Sequence, residues 1–138
     1  YFPNNDTFSK IILNFIKKLK GFKNVKILPS LRFEFYLTLL KNSNFIIGNS
    51  SSGIREAPVY GVQTINLGER QKNRADNKSI INLKFEEKKI LRIINNLKKQ
   101  KNKKKFIFGN GGSAKKFIQV INKKFFWLTS RQKHFAEN

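Results

Sequence analysis

A serine-rich turn is the part of this sequence whose residue types and spacing are best suited to bind a ligand. Ser50, Ser51 and Ser52 follow the apolar run 45–47 and lead into a helix-forming segment that begins at about Gly53. Free backbone N–H groups at a helix start favour an anion, serine hydroxyls add donors, and a glycine would let a phosphate approach the backbone closely. Serine is also a preferred helix-capping residue. The residues alone therefore leave two interpretations open, a phosphate cradle and an ordinary cap.

Glu56 in the first turn of the same helix also has two interpretations. An acidic residue there compensates the helix dipole, which stabilises by about 0.3–1 kcal/mol. Alternatively, its carboxylate accepts hydrogen bonds from both ribose hydroxyls of a nucleotide whose phosphates lie at the helix start. The separation of about one helical turn fits the distance between sugar and phosphates.

Several classes of site are excluded by composition. The chain has no cysteine, so it has no disulfide framework, no thiolate metal site and no thiolate nucleophile. Its only histidine, His134, lies near the C-terminus, which excludes a zinc site built on several histidines. No apolar run approaches the roughly 20 residues that span a bilayer, and the first residues lack a signal-peptide pattern. We expect a cytoplasmic protein without membrane contact, metal or cofactor.

The formal net charge is +21, from 29 Lys and Arg residues against 8 Asp and Glu residues. Clustered cations favour a nucleic-acid partner through counterion release. However, only Lys101 to Lys105 forms a dense basic run, and the prominence of Lys, Asn, Ile and Phe is typical of AT-rich codons. Biased composition is therefore the favoured explanation, and a basic nucleic-acid-binding module remains an alternative.

Short apolar runs alternate with segments of helical periodicity along the whole chain. Strands are predicted at 25–28, 45–47, 64–67 and 80–83, and helices at about 11–19, 33–40, 53–60, 90–97 and 112–121 and within 125–138. This alternation predicts an α/β fold, with a Rossmann-like parallel sheet and helices on both faces. Such sheets bind ligands beyond the carboxyl ends of their strands, and the serine turn follows one of those ends.

A longer set of residues around the serine turn matches a known enzyme family. The set comprises Gly48-Asn49-Ser50-Ser51-Ser52-Gly53-Ile54-Arg55-Glu56, Gly61, Ile65-Asn66-Leu67-Gly68, Arg70-Gln71 and Arg74. Weaker matches are Pro3-Asn4, Asp6 and Ser9 at the start, and Gly109-Asn110-Gly111 and Phe126-Trp127 near the end. On these residues the chain resembles the hydrolysing UDP-N-acetylglucosamine 2-epimerases, in particular the branch that feeds sialic-acid-type sugars.

The resemblance implies a fold and a set of ligand contacts. These enzymes have a two-domain GT-B-type fold, in which the C-terminal half holds UDP and the N-terminal half carries most catalytic groups. By matching positions, Ser50, Ser51 and Gly53 would bind the diphosphate, Glu56 would bind the ribose, and Arg70 would lie near the phosphates. Without the resemblance, Arg70 would be interpreted as a solvated loop arginine.

The family's reaction converts UDP-N-acetylglucosamine to N-acetylmannosamine and UDP through elimination of UDP and addition of water. The resemblance implies that the acids and bases come from the first domain, so we assign no catalytic residue here, and His134 is not a substitute. This chain would bind the leaving group and be inactive alone. The complete enzyme is expected to be a homo-oligomer in sialic acid or surface polysaccharide biosynthesis.

The ends of the sequence suggest a piece of a longer protein. The chain begins at Tyr1 and contains no methionine, and its 138 residues suffice for one domain. We therefore expect residues 1–138 to form a single UDP-binding C-terminal domain whose catalytic N-terminal domain is absent from this chain. A bare interdomain face would then favour self-association.

Three residues differ from the family pattern, and a second enzyme class shares the expected fold. Gln63 stands where proline is usual, Asn73 where glycine is common and Asn110 where aspartate is common. The first two are predicted to loosen the loop around Arg70. The same fold also serves glycosyltransferases of the GT-B type that bind a UDP-sugar, but Arg70-Gln71 with Arg74 favours an epimerase.

Overall fold

The computed structural model of this chain describes residues 9–97, 102–128, 130 and 132. The predictions that concern Asn4, Asp6, Lys101 and His134 lie outside these residues.

Three parallel strands form the sheet. They are β1 (Phe45–Gly48), β2 (Gln63–Leu67) and β3 (Ile80–Leu83), in the order β1-β2-β3. Ile47 pairs with Ile65, and Ile65 pairs with Ile81. The central strand β2 is buried at three consecutive positions, as expected for a parallel strand that is covered on both sides. The predicted α/β fold with a parallel sheet is confirmed.

Most helices form where the sequence predicts them. They are α1 (Ser9–Leu19), α2 (Phe33–Asn42), α3 (Ser52–Arg55), a 3-10 helix (Ala57–Tyr60), α4 (Glu87–Asn96), α5 (Ser113–Ile121) and α6 (Lys124–Trp127). None of the helices among the described residues is long and apolar enough to cross a membrane.

The strand predicted at 25–28 does not form. The N–H group of Val25 donates to the carbonyl of Phe22 at 3.1 Å, so a turn uses the donor that a strand ladder would need. Residues 25–28 have no regular secondary structure and no strand partner within the described part of the chain. Apolar residues alone predicted a strand here, but pairing with a neighbour is what makes one.

The helix predicted over 53–60 is divided into two short pieces at Glu56. Pro58 has no N–H group and cannot continue the α-helical ladder. The chain then tightens, with the N–H of Val59 donating to the Glu56 carbonyl at 3.1 Å and that of Gly61 to the Pro58 carbonyl at 3.1 Å. The helix that begins at the serine turn is therefore short, and its dipole is weak.

The core lies between α2, the 3-10 helix and the sheet. Its buried members are Leu40, Ala57 and Val62, and the half-buried side chains packed on them are Tyr36, Ile46 and Tyr60. This small core joins α2 and the 3-10 helix to β1, the strand after which the serine turn begins.

The segment beyond the gap in the described residues returns to this core. The N–H of Asn102 donates to the Gly61 carbonyl and the N–H of Lys105 to the Pro58 carbonyl, both at 2.9 Å. Farther along, the Phe108 ring lies 5.7 Å from the guanidinium carbon of Arg55. The backbone of the lysine-rich segment is thus attached to the domain, while the side chains of 103–105 remain exposed.

Candidate functional site

Two loops meet at the carboxyl edge of the sheet. One follows β1 and contains residues 49–51, and the other follows β2 and contains residues 68–74. Their strands are hydrogen-bonded neighbours, so the loops leave the same edge side by side. The side chain of Gln71 joins them, since its Nε2 donates to the carbonyl oxygen of Asn49 at 3.2 Å.

Gly48, the last residue of β1, precedes the first loop with a φ of 141°, a backbone conformation that side-chain-bearing residues rarely adopt. Ser50 then turns the chain into α3, because its Oγ accepts from the N–H of Ser52 at 3.3 Å and its carbonyl accepts from the N–H of Gly53 at 3.2 Å. The Ser50 side chain thus forms a local turn one residue before the N-cap position of α3. Phosphate binding by Ser50 stays a prediction.

Ser51 is exposed and occupies the N-cap position of α3 without a side-chain capping bond. Its carbonyl accepts from the N–H groups of Ile54 at 3.0 Å and Arg55 at 2.9 Å. Within the described residues, the N–H groups of Ser50 and Ser51 have no hydrogen-bond acceptor. The turn therefore offers two backbone donors and the Ser51 hydroxyl to a ligand.

The third serine has a different function. Ser52 is buried, and its Oγ accepts from the hydroxyl of Tyr36 at 2.5 Å, which ties α2 to α3. Three consecutive serines give no sequence signal that separates this one from its neighbours, so this contact could not be predicted from the sequence.

Gly53 is required by packing. A Cβ atom at this position would lie 2.6 Å from Cγ2 of Thr64 on β2. In addition, the Thr64 hydroxyl donates to the Gly53 carbonyl at 2.6 Å. Close contact between α3 and β2 thus explains the glycine without a ligand, and the role of Gly53 toward a phosphate stays a prediction.

Glu56 lies where α3 gives way to the 3-10 helix, with its N–H donating to the Ser52 carbonyl at 3.1 Å. It is the C-cap of α3, so the prediction that it lies in the first turn of that helix is wrong. Its side chain is half-buried, and in the described portion of the chain its carboxylate has no ion pair or hydrogen bond. Both carboxylate oxygens are consequently available to accept hydrogen bonds.

Arg70 is exposed in the second loop, directly before the buried Gln71. The loop is held by the N–H of Lys72 donating to the Glu69 carbonyl at 3.1 Å, and it contains Asn73 at a φ of 61°. Asparagine adopts this left-handed conformation more readily than other side-chain-bearing residues, so it serves where glycine is common.

The departure at Gln63, at the opposite end of β2, is also accommodated. The Nε2 of Gln63 donates to the Ser79 carbonyl at 2.8 Å, and its Oε1 accepts from Nδ2 of Asn102 at 2.9 Å. Gln63 thus ties the start of β2 to two other segments. The predicted loosening of the Arg70 loop has no counterpart in these contacts.

A cavity of about 330 Å³ lies on the other side of the Arg70 loop, at the ends of β2 and β3. Its lining residues are Gly68, Glu69, Lys72, Asn82, Leu83, Lys84, Glu86 and Lys89. Two ion pairs lie there, Lys72–Glu69 at 3.0 Å and Lys89–Glu86 at 4.0 Å. None of the residues predicted to bind UDP lines this cavity.

The described residues contain no group of three or more His, Cys, Asp or Glu side chains that could hold a metal ion.

A family model identifies the protein family to which these loops belong. The family model described as UDP-N-acetylglucosamine 2-epimerase matches residues 1–122. This chain belongs to the UDP-N-acetylglucosamine 2-epimerase family. The resemblance deduced from the serine turn and the Arg70 loop is confirmed at that level.

Individual relatives agree. The UDP-N-acetylglucosamine 2-epimerase of Neisseria meningitidis serogroup B is 43% identical over 99% of this chain and 37% of that protein. The polysialic acid biosynthesis protein P7 of Escherichia coli is 44% identical over 67% of this chain and 24% of that protein. The UDP-N,N'-diacetylbacillosamine 2-epimerase (hydrolyzing) of Legionella pneumophila is 30% identical over 86% of this chain and 32% of that protein. The chain thus spans well under half the length of these epimerase-family relatives.

A solved structure shows the same fold. The UDP-GlcNAc 2-epimerase of Methanocaldococcus jannaschii, in complex with UDP-GlcNAc and UDP, superposes with a TM-score of 0.66 at 25% identity. The match covers 82% of this chain and 32% of the archaeal one. The Rossmann-like α/β fold of GT-B type expected of the epimerase family is thereby confirmed.

Proposed function

We propose that residues 1–138 are the UDP-binding C-terminal domain of a hydrolysing UDP-N-acetylglucosamine 2-epimerase. A catalytic N-terminal domain outside this chain completes the enzyme, which converts UDP-N-acetylglucosamine to N-acetylmannosamine and UDP in the cytoplasm. The observation that carries the proposal is the meeting of the serine loop and the Arg70 loop at one edge of the sheet, joined through Gln71 and Asn49.

The diphosphate site combines backbone donors with a cation. The N–H groups of Ser50 and Ser51 have no acceptor among the described residues, and the exposed Ser51 hydroxyl adds a third donor. Arg70 supplies a permanent positive charge and a planar set of donors that suits phosphate oxygens. Because α3 has only four residues, individual N–H groups and Arg70 contribute more than a helix dipole.

The ribose site is assigned to Glu56. Its carboxylate is half-buried next to the serine turn in sequence, and it lacks a partner in the part of the chain that the structure describes. A carboxylate accepts two hydrogen bonds well, and the two ribose hydroxyls supply two donors. Gly53 contributes by letting α3 approach β2, which holds Glu56 near the sheet edge.

The role of this domain in the reaction is to stabilise the leaving group. A base removes the proton at C2 of the sugar, the electrons of the C1–O bond leave with UDP, and water adds to the resulting glycal. Negative charge grows on the diphosphate as that bond breaks, and fixed donors and Arg70 lower the energy of that state. The base and acids belong to the missing domain, so the chain alone is expected to be inactive.

The relatives support this assignment in chemical terms. Two of them are named as 2-epimerases and one as a polysialic acid biosynthesis protein. The archaeal structure holds UDP-GlcNAc and UDP. These names support a uridine nucleotide sugar as the ligand class and a product that serves sialic acid or surface polysaccharide synthesis.

The test is a calorimetric titration of the chain with UDP, UMP and uridine, using Glu56→Ala as the variant. We expect UDP to bind most tightly and the variant to lose at least about tenfold in affinity, equivalent to about 1.4 kcal/mol. Glu87→Ala is the matched control, since it removes the same side chain from a helix that contributes to neither loop of the site. Both substitutions remove one negative charge, but only Glu56→Ala should weaken UDP binding.

Titration with a single-stranded oligonucleotide tests the alternative that the chain binds nucleic acid. If UDP gives no heat while the oligonucleotide binds with steep salt dependence, the charge of +21 serves a nucleic acid and the proposal is wrong.

A further inference from the structure

Gln71 is a buried residue within an exposed loop. Its side chain is 3% exposed, while Glu69, Arg70, Lys72 and Asn73 around it are all exposed. Its Nε2 donates to the carbonyl of Asn49, but its Oε1 is buried and has no hydrogen-bond partner in the described residues.

This arrangement is a poor one for stability. A buried acceptor without a partner is destabilising, because it loses its hydrogen bonds to water and gains none in return. A methionine of similar size would fill the same space without that loss. Packing alone therefore does not explain why this position is a glutamine.

The geometry of one peptide unit supplies that reason. The carbonyl of Asn49 and the N–H of Ser50 belong to the same planar trans peptide and point in opposite directions. A donor that holds the Asn49 oxygen therefore sets the direction of the Ser50 N–H. That N–H has no acceptor in the described part of the chain, and the preceding Gly48 restricts the backbone little.

We propose that Gln71 is a positioning residue that orients the Asn49–Ser50 peptide, so that the Ser50 N–H is presented to the diphosphate of a nucleoside diphosphate. Arg70 directly precedes Gln71. The hydrogen bond from Gln71 to Asn49 therefore also fixes the position of the Arg70 backbone relative to the Ser50 N–H group. The inference rests on the proposed UDP-binding function and adds a residue to it.

The experiment compares Gln71→Met with Gln63→Met in the 138-residue chain, each titrated with UDP and with uridine. Both substitutions replace a shielded glutamine amide by a thioether of similar size, but Gln63 hydrogen-bonds at the opposite end of β2. We expect Gln71→Met to lower UDP affinity by about tenfold and to leave uridine affinity unchanged, since only the diphosphate contact is lost.

Stability and a local probe separate positioning from a structural role. Gln71→Met should keep the thermal midpoint close to that of the parent, because removal of the buried unpartnered Oε1 offsets the loss of the Nε2 hydrogen bond to Asn49. Gln63→Met should lower the midpoint, because two hydrogen bonds are lost, without changing the ratio of UDP to uridine affinity. The backbone ¹⁵N–¹H resonance of Ser50 should shift on addition of UDP in the parent and shift far less in Gln71→Met.

The outcomes are distinguishable. If the parent chain binds UDP and Gln71→Met binds it equally well, or loses UDP and uridine affinity alike, the positioning role is wrong and the proposed function stands. If the parent chain binds no UDP, the proposed function fails and this inference fails with it. Gln71→Leu provides the same comparison if the methionine variant does not fold.

Discussion

At the scale of single residues, the site combines exposed side chains with buried side chains that directly follow them in sequence. Ser51 faces solvent with free donors, whereas Ser52 is buried under Tyr36. Arg70 is exposed, whereas Gln71 beside it is buried. The motif thus alternates groups that are available to a ligand with groups that hold the loops, and substitutions in the two sets should separate affinity from stability.

Gly53→Ala tests the packing assignment. A Cβ atom would lie 2.6 Å from Thr64 Cγ2, so either α3 or β2 must shift. We expect the free energy of unfolding to fall by about 1–3 kcal/mol, as for other overpacked positions. Urea denaturation measures it, and Gly21→Ala is the control because a Cβ there meets nothing within 4 Å. Equal stability of the two variants would contradict the packing assignment.

Sequence reasoning identified the residues of this motif but only part of what they do. The strand, the serines and the glycine predicted a turn at the sheet edge, and the structure has one there. Burial could not be predicted for Ser52 or Gln71, because a polar side chain in a polar loop carries no periodic signal. Their positions follow from contacts with α2 and with the loop after β1, which are distant in sequence.

At the scale of elements, the serine turn is supported by the contact between α2 and α3. The Tyr36 hydroxyl donates to Ser52 Oγ at 2.5 Å, and the core residue Leu40 lies one turn further along α2. Periodicity predicted α2, α4 and α5 and all three strands. It failed at 25–28, where a turn takes the Val25 N–H, and at Glu56, where Pro58 ends the α-helical ladder.

Tyr36→Phe tests this contact between elements. Removing the hydroxyl leaves the buried Ser52 without its donor, so we expect a loss of about 0.5–1.5 kcal/mol in the free energy of unfolding. Tyr60→Phe is the matched control, since Tyr60 packs on the same core and its hydroxyl has no partner among the described residues. If both variants lose the same stability, the Tyr36–Ser52 bond contributes nothing of its own.

At the scale of the whole molecule, the chain has more apolar surface than its small core can cover. Helices α1, α4 and α5 bury no residue completely. Large apolar side chains stay exposed on α1, α5 and α6, among them Phe15 at 62%, Phe117 at 63% and Trp127 at 71%. Apolar surface of this extent is typical of faces that meet another domain or chain.

Self-association should therefore depend on salt in a defined direction. The charge of +21 repels copies of the chain at low ionic strength, and salt screens that repulsion while apolar contacts persist. We expect sedimentation to show more association at about 0.5 M salt than at about 0.05 M. The variant Phe117→Ser should associate less. A chain that stays monomeric at both salt concentrations would show that this surface does not self-associate.

The most direct test of UDP binding is a titration of the ¹⁵N-labelled chain with UDP, followed by the backbone resonances. The account predicts shifts at Ser50, Ser51, Glu56 and Arg70, in both loops at the carboxyl edge of the sheet, with smaller changes elsewhere. Shifts confined to the exposed lysines 103–105, or no shifts at all, would contradict the assignment of this edge to UDP.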